Sequence, residues 1–445
     1  MKAMKPNRLL KTFFTLALAV VMCLTTALPA YAAGSPVTGG TEANPLTAAI
    51  TKTLKMPEGT TTPATEFIFQ FEKTNRNGST ASADLDQMPD IGTVPSGQTA
   101  GEIKIPFATT DNGSVVSSSK IVSKQSTNIL NGITFPSAGT YTYTLTEKTN
   151  TYTVQANETM DYSPAVYTMT FYVKNNSANT GTYVYAISTV IVTPDPGNPG
   201  EPGDKVDPTP GDGSTSFSQL AFTNVFTKRG GGTDPTDPAA QALAISKTVT
   251  GEYGNQSAYF DYSVLLTQPA EVTGTATYKA YVVEGTNVVT SSANTSATLL
   301  TDANSHPYFE VTPDNTTPFT VKLKHGQKLV FTDVYVGARY EAEEQAAAGY
   351  TPAVSVTVNG GTPISITGTE GAALSTNDPA TDANRLVGEN KNAADFTNDY
   401  TATITPTGVI IDNLPFIMIL LLAVGAFIGF IFVKSRKKRR YTSHY

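Results

Sequence analysis

Residues 141–147 read YTYTLTE, where Tyr141, Tyr143 and Leu145 alternate with threonine. The same alternation occurs in EFIFQF at 66–71 and in YTMTFYV at 167–173. A period of two places one set of side chains on one face of an extended chain, which is typical of a strand with one buried face. These stretches predict a core made of β-sheet.

Turn-forming clusters separate the alternating stretches. They read NRNGS at 75–79, TDNGS at 110–114, KNNSANTG at 174–181 and VNGGTP at 358–363. Between the two ends of the chain, no long stretch carries apolar residues at helical spacing. Short strands separated by such turns predict an all-β fold of antiparallel sandwich domains.

The charge balance limits the partners. The 445-residue chain has a net charge of −7, and its two ends hold ten of the 30 basic residues. The part between them is therefore strongly acidic, which argues against nucleic acid and anionic membranes as partners. No ligand spacing surrounds His306 or His325, and the only cysteine lies near the N-terminus, so we expect neither a metal site nor a cofactor.

Residues 1–32 have the features of a secretory signal peptide. Four basic residues precede an apolar run at 12–30, and Ala30 and Ala32 are the small residues expected before a cleavage site. The single cysteine, Cys23, lies within this segment. The secreted chain would therefore have no disulfide, although disulfides are the usual covalent staple outside the cell.

The C-terminal part, residues 404–440, has the layout of a membrane anchor. Leu414–Val433 is a run of 20 residues without a charge, which is long enough to cross a bilayer as a helix. Six basic residues follow at 434–440 and predict a cytoplasmic C-terminus, so the chain before Leu414 would lie outside the cell. On hydrophobicity alone, a plain single-pass anchor fits as well.

Thr405, Pro406, Thr407 and Gly408 stand just before this span. A Pro-Thr-Gly motif, an apolar span and a basic end resemble the cell-wall sorting signal of Gram-positive surface proteins. The resemblance implies that a sortase cuts after Thr407 and transfers its acyl group to an amine, and that peptidoglycan anchors the product. The motif lacks the leading leucine of the common Leu-Pro-any-Thr-Gly pattern; the shorter form is similar to that of streptococcal backbone pilins of the T-antigen type.

The chain between the ends is long enough for two domains, which we place at 45–226 and 242–400 with a linker at 227–241. A short polar lead precedes the first. A Pro/Gly-rich run at 194–214 lies before the strand-like FSQLAFTNVF at 217–226. Proline and glycine at this density predict an exposed loop or extended segment inside the first domain, outside any sheet and flexible enough to enter a sortase cleft.

Similar short sequence motifs open and close the two domains. The first opens with ITKTL, which contains Lys52, and closes with AFTNVF, which contains Asn224. The second opens with ISKTV, around Lys247, and closes with DFTNDY, around Asn398. This internal repeat places a lysine on the first strand and an asparagine on the last strand of each domain.

One acidic residue in each domain has the strand parity of the buried face, Glu147 in YTYTLTEK and Glu344 in YEAEEQ. Lysine, glutamate and asparagine would then all point into the core, where an unpaired polar group costs free energy. Burial favours the neutral amine and the neutral acid. The amine can then attack the asparagine carboxamide with help from the acid and release ammonia.

This Lys–Glu–Asn arrangement resembles that of the two-domain T-antigen pilins, and the resemblance covers essentially the whole chain. It implies two tandem immunoglobulin-like (CnaB-like) sandwich domains, each closed by an intramolecular isopeptide bond. The residues implied are Lys52 and Asn224 with Glu147, and Lys247 and Asn398 with Glu344.

Two neighbouring residues compete for these roles. Lys55 is the rival to Lys52, and Glu343 is the rival to Glu344; each has the opposite strand parity and would face solvent. The plain alternative is that the lysines and asparagines are ordinary solvated side chains.

An exposed lysine is needed to receive the Thr407 acyl group of another subunit. Lys205, in the Pro/Gly-rich run, occupies a place that resembles that of the linkage lysine in the T-antigen pilins. Lys174 and Lys228 are the fallbacks.

The predicted function is a structural subunit of a covalently polymerised, cell-wall-anchored surface pilus. Its expected partners are a sortase, other pilin subunits and peptidoglycan, with a host surface ligand left open. A wall-anchored monomeric adhesin is the alternative. An extracellular enzyme is a remote one, because the sequence contains no Gly-x-Ser-x-Gly, no HExxH and no Ser/His/Asp grouping, although a carboxylate pair among the many acids stays open.

Overall fold

The structure, a computed structural model, describes residues 37–92, 99–198, 200–377, 385–400 and 414–440. Two groups of strands are followed by one long helix. We call residues 37–228 the N-terminal strand group and residues 243–400 the C-terminal strand group.

The N-terminal strand group forms a seven-stranded sheet, in the order β1-β10-β9-β7-β3-β4 with β11 beside β10, and a five-stranded sheet, β5-β6-β2-β12-β8. A short helix, Ser82–Leu85, lies between β3 and β4. The strands are β1 (Val37–Thr38), β2 (Thr51–Pro57), β3 (Thr65–Arg76), β4 (Glu102–Phe107), β5 (Ser114–Val116), β6 (Ser119–Gln125), β7 (Gly139–Glu147), β8 (Glu158–Asp161), β9 (Val166–Asn175), β10 (Thr182–Thr193), β11 (Lys205–Val206) and β12 (Ala221–Lys228).

The C-terminal strand group forms a nine-stranded sheet, in the order β17-β18-β15-β20-β13-β26-β22-β23 with β16 beside β15, and a five-stranded sheet, β19-β14-β21-β24 with β25 beside β21. The strands are β13 (Leu243–Thr250), β14 (Phe260–Thr267), β15 (Tyr278–Glu284), β16 (Asn287–Val288), β17 (Leu300–Thr301), β18 (Pro307–Val311), β19 (Phe319–Leu323), β20 (Gln327–Phe331), β21 (Arg339–Glu344), β22 (Tyr350–Thr357), β23 (Ile364–Thr367), β24 (Leu374–Ser375), β25 (Arg385–Leu386) and β26 (Ala393–Tyr400).

The alternating stretches are strands, and their apolar residues form the core. On β7, Tyr141, Tyr143 and Leu145 are buried, whereas the threonines between them are only partly covered. Each group packs its two sheets around one main hydrophobic cluster. The predicted all-β class of two sandwiches is confirmed, because residues of one parity on both sheets meet in a shared core.

One strand pair in each group departs from the predicted antiparallel pattern. The opening strand β2 pairs in parallel with the closing strand β12, and β13 pairs in parallel with β26. Local alternation could not reveal this pairing, because it reports which face of a strand is buried and not which neighbour the strand has. The parallel pair brings the two ends of each group side by side.

Both ends of the N-terminal group extend beyond the predicted bounds of 45–226. Val37–Thr38 pairs with β10, and β12 continues to Lys228. The segment predicted as a linker packs on the C-terminal group, because Gly230 N–H donates to Val334 O and the Arg229 guanidinium donates to Asp333 O at 3.0 Å. A 3₁₀ turn, Pro238–Ala240, then leads into β13.

The Pro/Gly-rich run at 194–214 is mostly outside strands, but the prediction of an exposed loop or extended segment that takes no part in a sheet is wrong in part. Asp195 and Asn198 are buried, and Lys205–Val206 pairs with β10. The physical reason is that the Asp195 carboxylate accepts hydrogen bonds from Thr223 N–H on β12 and from Ser163 Oγ–H, which hold the start of the run against the sheets.

The last element is the helix Leu414–Arg440. Its segment Pro415–Ser435 has 21 residues and a mean hydropathy of 3.0, and within the described chain it is long and apolar enough to cross a membrane. Its apolar side chains, such as Phe416 and Leu420, are exposed, as a lipid-facing span requires. The predicted signal peptide at 1–32 and the motif Thr405–Gly408 lie outside the described residues.

Candidate functional site

The first candidate site lies in the core of the N-terminal strand group. Lys52 comes from β2 and Glu147 from β7, so the two residues approach from opposite sheets. Lys52 Nζ lies 2.8 Å from Glu147 Oε2, and both side chains are 0% exposed. A buried lysine in this setting has no solvent to hydrate a charge, so burial disfavours the ammonium form while the nearby Glu147 favours it.

Asn224, on β12, completes this site. Its Nδ2 donates a 2.8 Å hydrogen bond to Glu147 Oε1, so one carboxyl group contacts both the amine and the carboxamide. The Asn224 side-chain oxygen accepts a 2.7 Å hydrogen bond from the backbone N–H of Ser163. The structure thus brings together the three side chains that the sequence analysis selected.

Aromatic side chains surround the first site. Lys52 Nζ lies 4.6 Å from the centroid of the Phe67 ring, and the rings of Phe69 and Phe222 pack at a tilt of 53° with their centroids 4.9 Å apart. Burial lowers the pKa of Lys52 to about 8, against the opposing pull of Glu147, and burial also raises the pKa of Glu147. Both shifts favour the uncharged forms, a free amine and a neutral acid.

The second candidate site repeats the arrangement in the C-terminal strand group. Lys247 Nζ, on β13, lies 2.7 Å and 2.8 Å from the two carboxyl oxygens of Glu344, on β21 of the facing sheet. Asn398 Nδ2, on β26, donates to Glu344 Oε1. The three residues are at most 1% exposed. Burial lowers the pKa of Lys247 to about 8, as for its counterpart.

The two sites differ in the groups around them. In the second site Tyr262 OH donates a 3.1 Å hydrogen bond to Glu344 Oε2, and Lys247 Nζ lies 4.0 Å from the Phe260 ring centroid. The side-chain oxygen of Asn398 has no hydrogen-bond donor among the described residues. Sequence reasoning missed Tyr262 and Ser163, although Tyr262 belongs to the buried face of an alternating strand, FDYSVLL at 260–266.

The structure places the rival residues away from both sites. The Lys55 side chain is 39% exposed and lies 3.7 Å from Glu271. Glu343 is half-buried on the outer face of β21, whereas Glu344 faces the core. Strand parity separates each residue from its rival, as expected for an alternating strand.

Lys205, the candidate linkage lysine, is exposed on β11. It has no salt-bridge partner in the described part of the chain. Of the fallbacks, Lys174 is exposed and lies over the Tyr185 ring, 3.3 Å from its centroid, and Lys228 lies within 4 Å of Glu158 and Glu389. Lys205 is therefore the least engaged of the three.

The described residues contain no group of three or more His, Cys, Asp or Glu side chains placed to hold a metal ion. Each Lys–Glu–Asn site brings together an amine, a carboxyl group and a carboxamide. When an amine and a carboxamide contact the same carboxyl group, the amine nitrogen can replace the amide nitrogen on the carbonyl carbon. The carboxyl group can transfer the proton between the two nitrogens.

Two family models match parts of the chain. Residues 48–227 match the family model of the Spy0128-like isopeptide containing domain, and residues 241–400 match a domain of unknown function (DUF7601). The first match confirms the predicted resemblance to streptococcal backbone pilins. None of the curated proteins matches the chain.

Several solved structures are similar to this chain at low identity. The major pilin from Streptococcus pyogenes is 17% identical with a TM-score of 0.29, and the match covers 80% of this chain and 99% of that one. The major pilin protein of a Streptococcus pyogenes serotype is 17% identical with a TM-score of 0.28, over 79% of this chain and 97% of that one. A pilus-presented adhesin is 15% identical with a TM-score of 0.22, over 54% of this chain and 36% of that one.

Proposed function

We propose that this chain is a structural subunit of a covalently polymerised surface pilus, with an internal isopeptide bond in each strand group. The observation that carries the proposal is the pair of buried Lys–Glu–Asn sites, which have the same contacts in both groups. Two such bonds would cross-link the chain covalently. Disulfides cannot do so within one chain, because Cys23 is its only cysteine.

The chemistry at each site balances without a co-reactant. The neutral lysine amine attacks the asparagine Cγ, a new C–N bond forms, and the Cγ–Nδ2 bond breaks. Glutamate receives a proton from the amine and delivers one to Nδ2, so ammonia leaves and the acid is restored. The fold supplies the rate, because both reacting groups are already held against the same carboxyl group.

The position of the bond suits a protein under tension. In the C-terminal strand group, the chain enters on β13 and leaves on β26, which are adjacent parallel strands. A bond from Lys247 to Asn398 would carry the load from one strand to the other, and the residues between them would not extend. Each bond also closes a loop of about 150 residues or more, worth about 5 kcal/mol if it acts like a disulfide of that length.

Polymerisation would use the Thr407 carbonyl of one subunit and the Lys205 amine of the next. A sortase would cleave the Thr407–Gly408 bond, hold Thr407 as an acyl-enzyme, and pass it to the lysine to form an amide. The exposure of Lys205 on a short edge strand supports this assignment. Its place on β11 means that the lysine would be presented by a sheet, not by a flexible loop.

The C-terminal helix supports a membrane-held precursor. An exposed apolar segment of 21 residues has the length to span a bilayer, at about 1.5 Å per residue. A wall-anchored monomeric adhesin would share the anchor and the two buried sites, but it would need no acceptor lysine.

Cell-wall extracts separate these two functions. In a host that supplies the pilus sortase, the wild-type chain is expected to form high-mass ladders that resist boiling in detergent. Thr407→Ala should abolish both ladders and wall attachment, because the acyl group is not transferred. A wild-type chain released from the wall only as a monomer would instead support the adhesin.

A further inference from the structure

The Asn224 carboxamide oxygen has a donor in place. Ser163 N–H donates to Asn224 Oδ1 at 2.7 Å, and both residues are buried, Asn224 at 0% exposure. Ser163 lies in the turn between β8 and β9, and β8 pairs with the end of β12 beyond Asn224. The donor therefore comes from a different segment than the lysine and the acid.

Asp195 fixes this donor and the strand that carries the acceptor. Its Oδ1 accepts hydrogen bonds from Ser163 Oγ at 2.6 Å and from the backbone N–H of Thr223 at 2.7 Å. Its Oδ2 accepts from Gly197 N–H at 3.0 Å, and the residue is 2% exposed. One buried carboxylate thus ties the Ser163 turn to the residue next to Asn224.

The start of the Pro/Gly-rich run packs closely on β12. A Cβ atom at Gly197 would lie 2.2 Å from Thr223 Oγ1, so only glycine allows this approach. The loop that carries Asp195 therefore packs directly against β12, the strand of Asn224, and this packing keeps Asp195 buried.

We infer that the Ser163 backbone N–H is a catalytic oxyanion donor for the Lys52–Asn224 bond and that Asp195 is its positioning residue. The inference rests on the proposed isopeptide chemistry. When the Lys52 amine adds to Asn224 Cγ, the π electrons of the carbonyl move onto Oδ1, which gains negative charge. The Ser163 N–H, already aligned, stabilises that charge without reorganisation.

The collapse of this intermediate restores the carbonyl. The electron pair on Oδ1 re-forms the C=O bond, the Cγ–Nδ2 bond breaks, and Glu147 supplies the proton that makes Nδ2 leave as ammonia. The Ser163 N–H keeps its hydrogen bond to Oδ1 throughout and transfers no proton. It therefore lowers the activation barrier and leaves the overall reaction unchanged.

The second site has no counterpart among the described residues. Among those residues Asn398 Oδ1 has no hydrogen-bond donor, and the Tyr262 hydroxyl group donates its hydrogen bond to Glu344. The Lys247–Asn398 bond of the same molecule is therefore an internal control for any change made at Ser163 or Asp195.

The experiment follows both bonds on one chain. Full-length chain is synthesised in a cell-free translation, samples are quenched in acid denaturant at intervals, and the two cross-linked peptides are quantified by mass spectrometry. Ser163 is replaced by its α-hydroxy acid analogue, which exchanges the backbone N–H for an ester oxygen. Formation of the Lys52–Asn224 bond should slow by about a hundredfold or more, while the Lys247–Asn398 rate stays unchanged.

Two variants of Asp195 test the positioning role. Asp195→Ala removes the acceptor and should slow only the first bond, by about tenfold or more. Asp195→Asn keeps an oxygen for Ser163 Oγ–H and Thr223 N–H and should recover most of the rate. If Asp195→Ala prevents folding, the Ser163 ester decides alone.

The outcomes distinguish the role of Ser163 from the proposed isopeptide chemistry on which it rests. A wild-type chain that forms neither bond would overturn the proposed isopeptide function. A wild-type chain that forms both, together with an ester variant that forms the first bond at the wild-type rate, would overturn the role of Ser163 and leave the function standing. Equal slowing of both bonds would also overturn it, because the effect would be on folding.

Discussion

Lys52 and Asn224 lie on adjacent parallel strands with a stagger of two residues. Asn224 stands opposite Leu54, and Lys52 stands opposite Phe222. A stagger of two keeps both side chains on the same face of the sheet, and the length of the lysine side chain spans the diagonal.

The C-terminal strand group repeats this stagger. Asn398 stands opposite Val249, two residues beyond Lys247. The repeat of one register in two groups means that the reaction geometry is set by the pairing of the opening and closing strands. The acid then reaches both groups from the facing sheet.

Glu147→Gln should prevent the first bond without emptying the site. The amide can still contact Lys52 and Asn224, but it cannot carry the proton. We expect the variant to retain one extra ammonia by mass and to lose about 5 kcal/mol of unfolding free energy from the N-terminal strand group. Denaturant titration with probes in each group measures this, and a variant that still forms the bond would refute the acid role of Glu147.

The neighbouring acids Glu343 and Glu344 form a matched pair. Glu344→Ala should block the Lys247–Asn398 bond, because the proton carrier is removed from the buried face. Glu343→Ala should leave the bond intact, because that side chain faces outward. Peptide mapping of the two variants is the measurement, and loss of the bond in Glu343→Ala alone would reverse the assignment.

The rate of bond formation should depend on pH as a bell-shaped curve. The reactive form is a neutral Lys52 amine beside a neutral Glu147 acid, so the pair carries one titratable proton. Burial lowers the pKa of Lys52 to about 8, so above that pH the pair loses its proton and the rate should fall. Burial also raises the pKa of Glu147, so the lower limb, where a second proton charges the amine, should lie above the usual carboxyl range.

Quenched refolding of unreacted chain over a series of buffers measures this profile. A rate that keeps rising above about pH 8 would show that the carboxylate acts only as a base, in conflict with its proposed role as an acid.

Lys205→Ala should remove the pilus ladders in cells that carry the pilus sortase. The expected cause is loss of the acceptor amine, since the side chain is exposed and its removal disturbs no buried contact. Lys174→Ala is the matched control, because that lysine is also exposed on the same sheet. Intact ladders in Lys205→Ala with lost ladders in Lys174→Ala would move the linkage to the fallback residue.

Much of this site could be predicted from strand parity. Tyr143, Leu145 and Glu147 alternate with threonine, so the burial of the first two residues fixed the direction of the third. The same reasoning separated Lys52 from Lys55. Parity is a local property, and for that reason it was reliable here.

The contacts that alternation could not reveal are those between distant segments. The parallel pairing of β2 with β12, the docking of the predicted linker, and the burial of Asp195 all depend on long-range packing. Asp195 stands in a run whose composition indicates a solvated loop. It is buried because its carboxylate accepts hydrogen bonds from Ser163 Oγ–H and from Thr223 N–H on β12, which hold the run against the sheet.

The most direct test of the central claim is the intact mass of residues 33–403 produced without the anchor. The account predicts a mass lower than the sequence value by two ammonia molecules, with cross-linked peptides that join Lys52 to Asn224 and Lys247 to Asn398. An unshifted mass for the folded chain would contradict it, since both Lys–Glu–Asn sites would then be only buried hydrogen-bonded clusters.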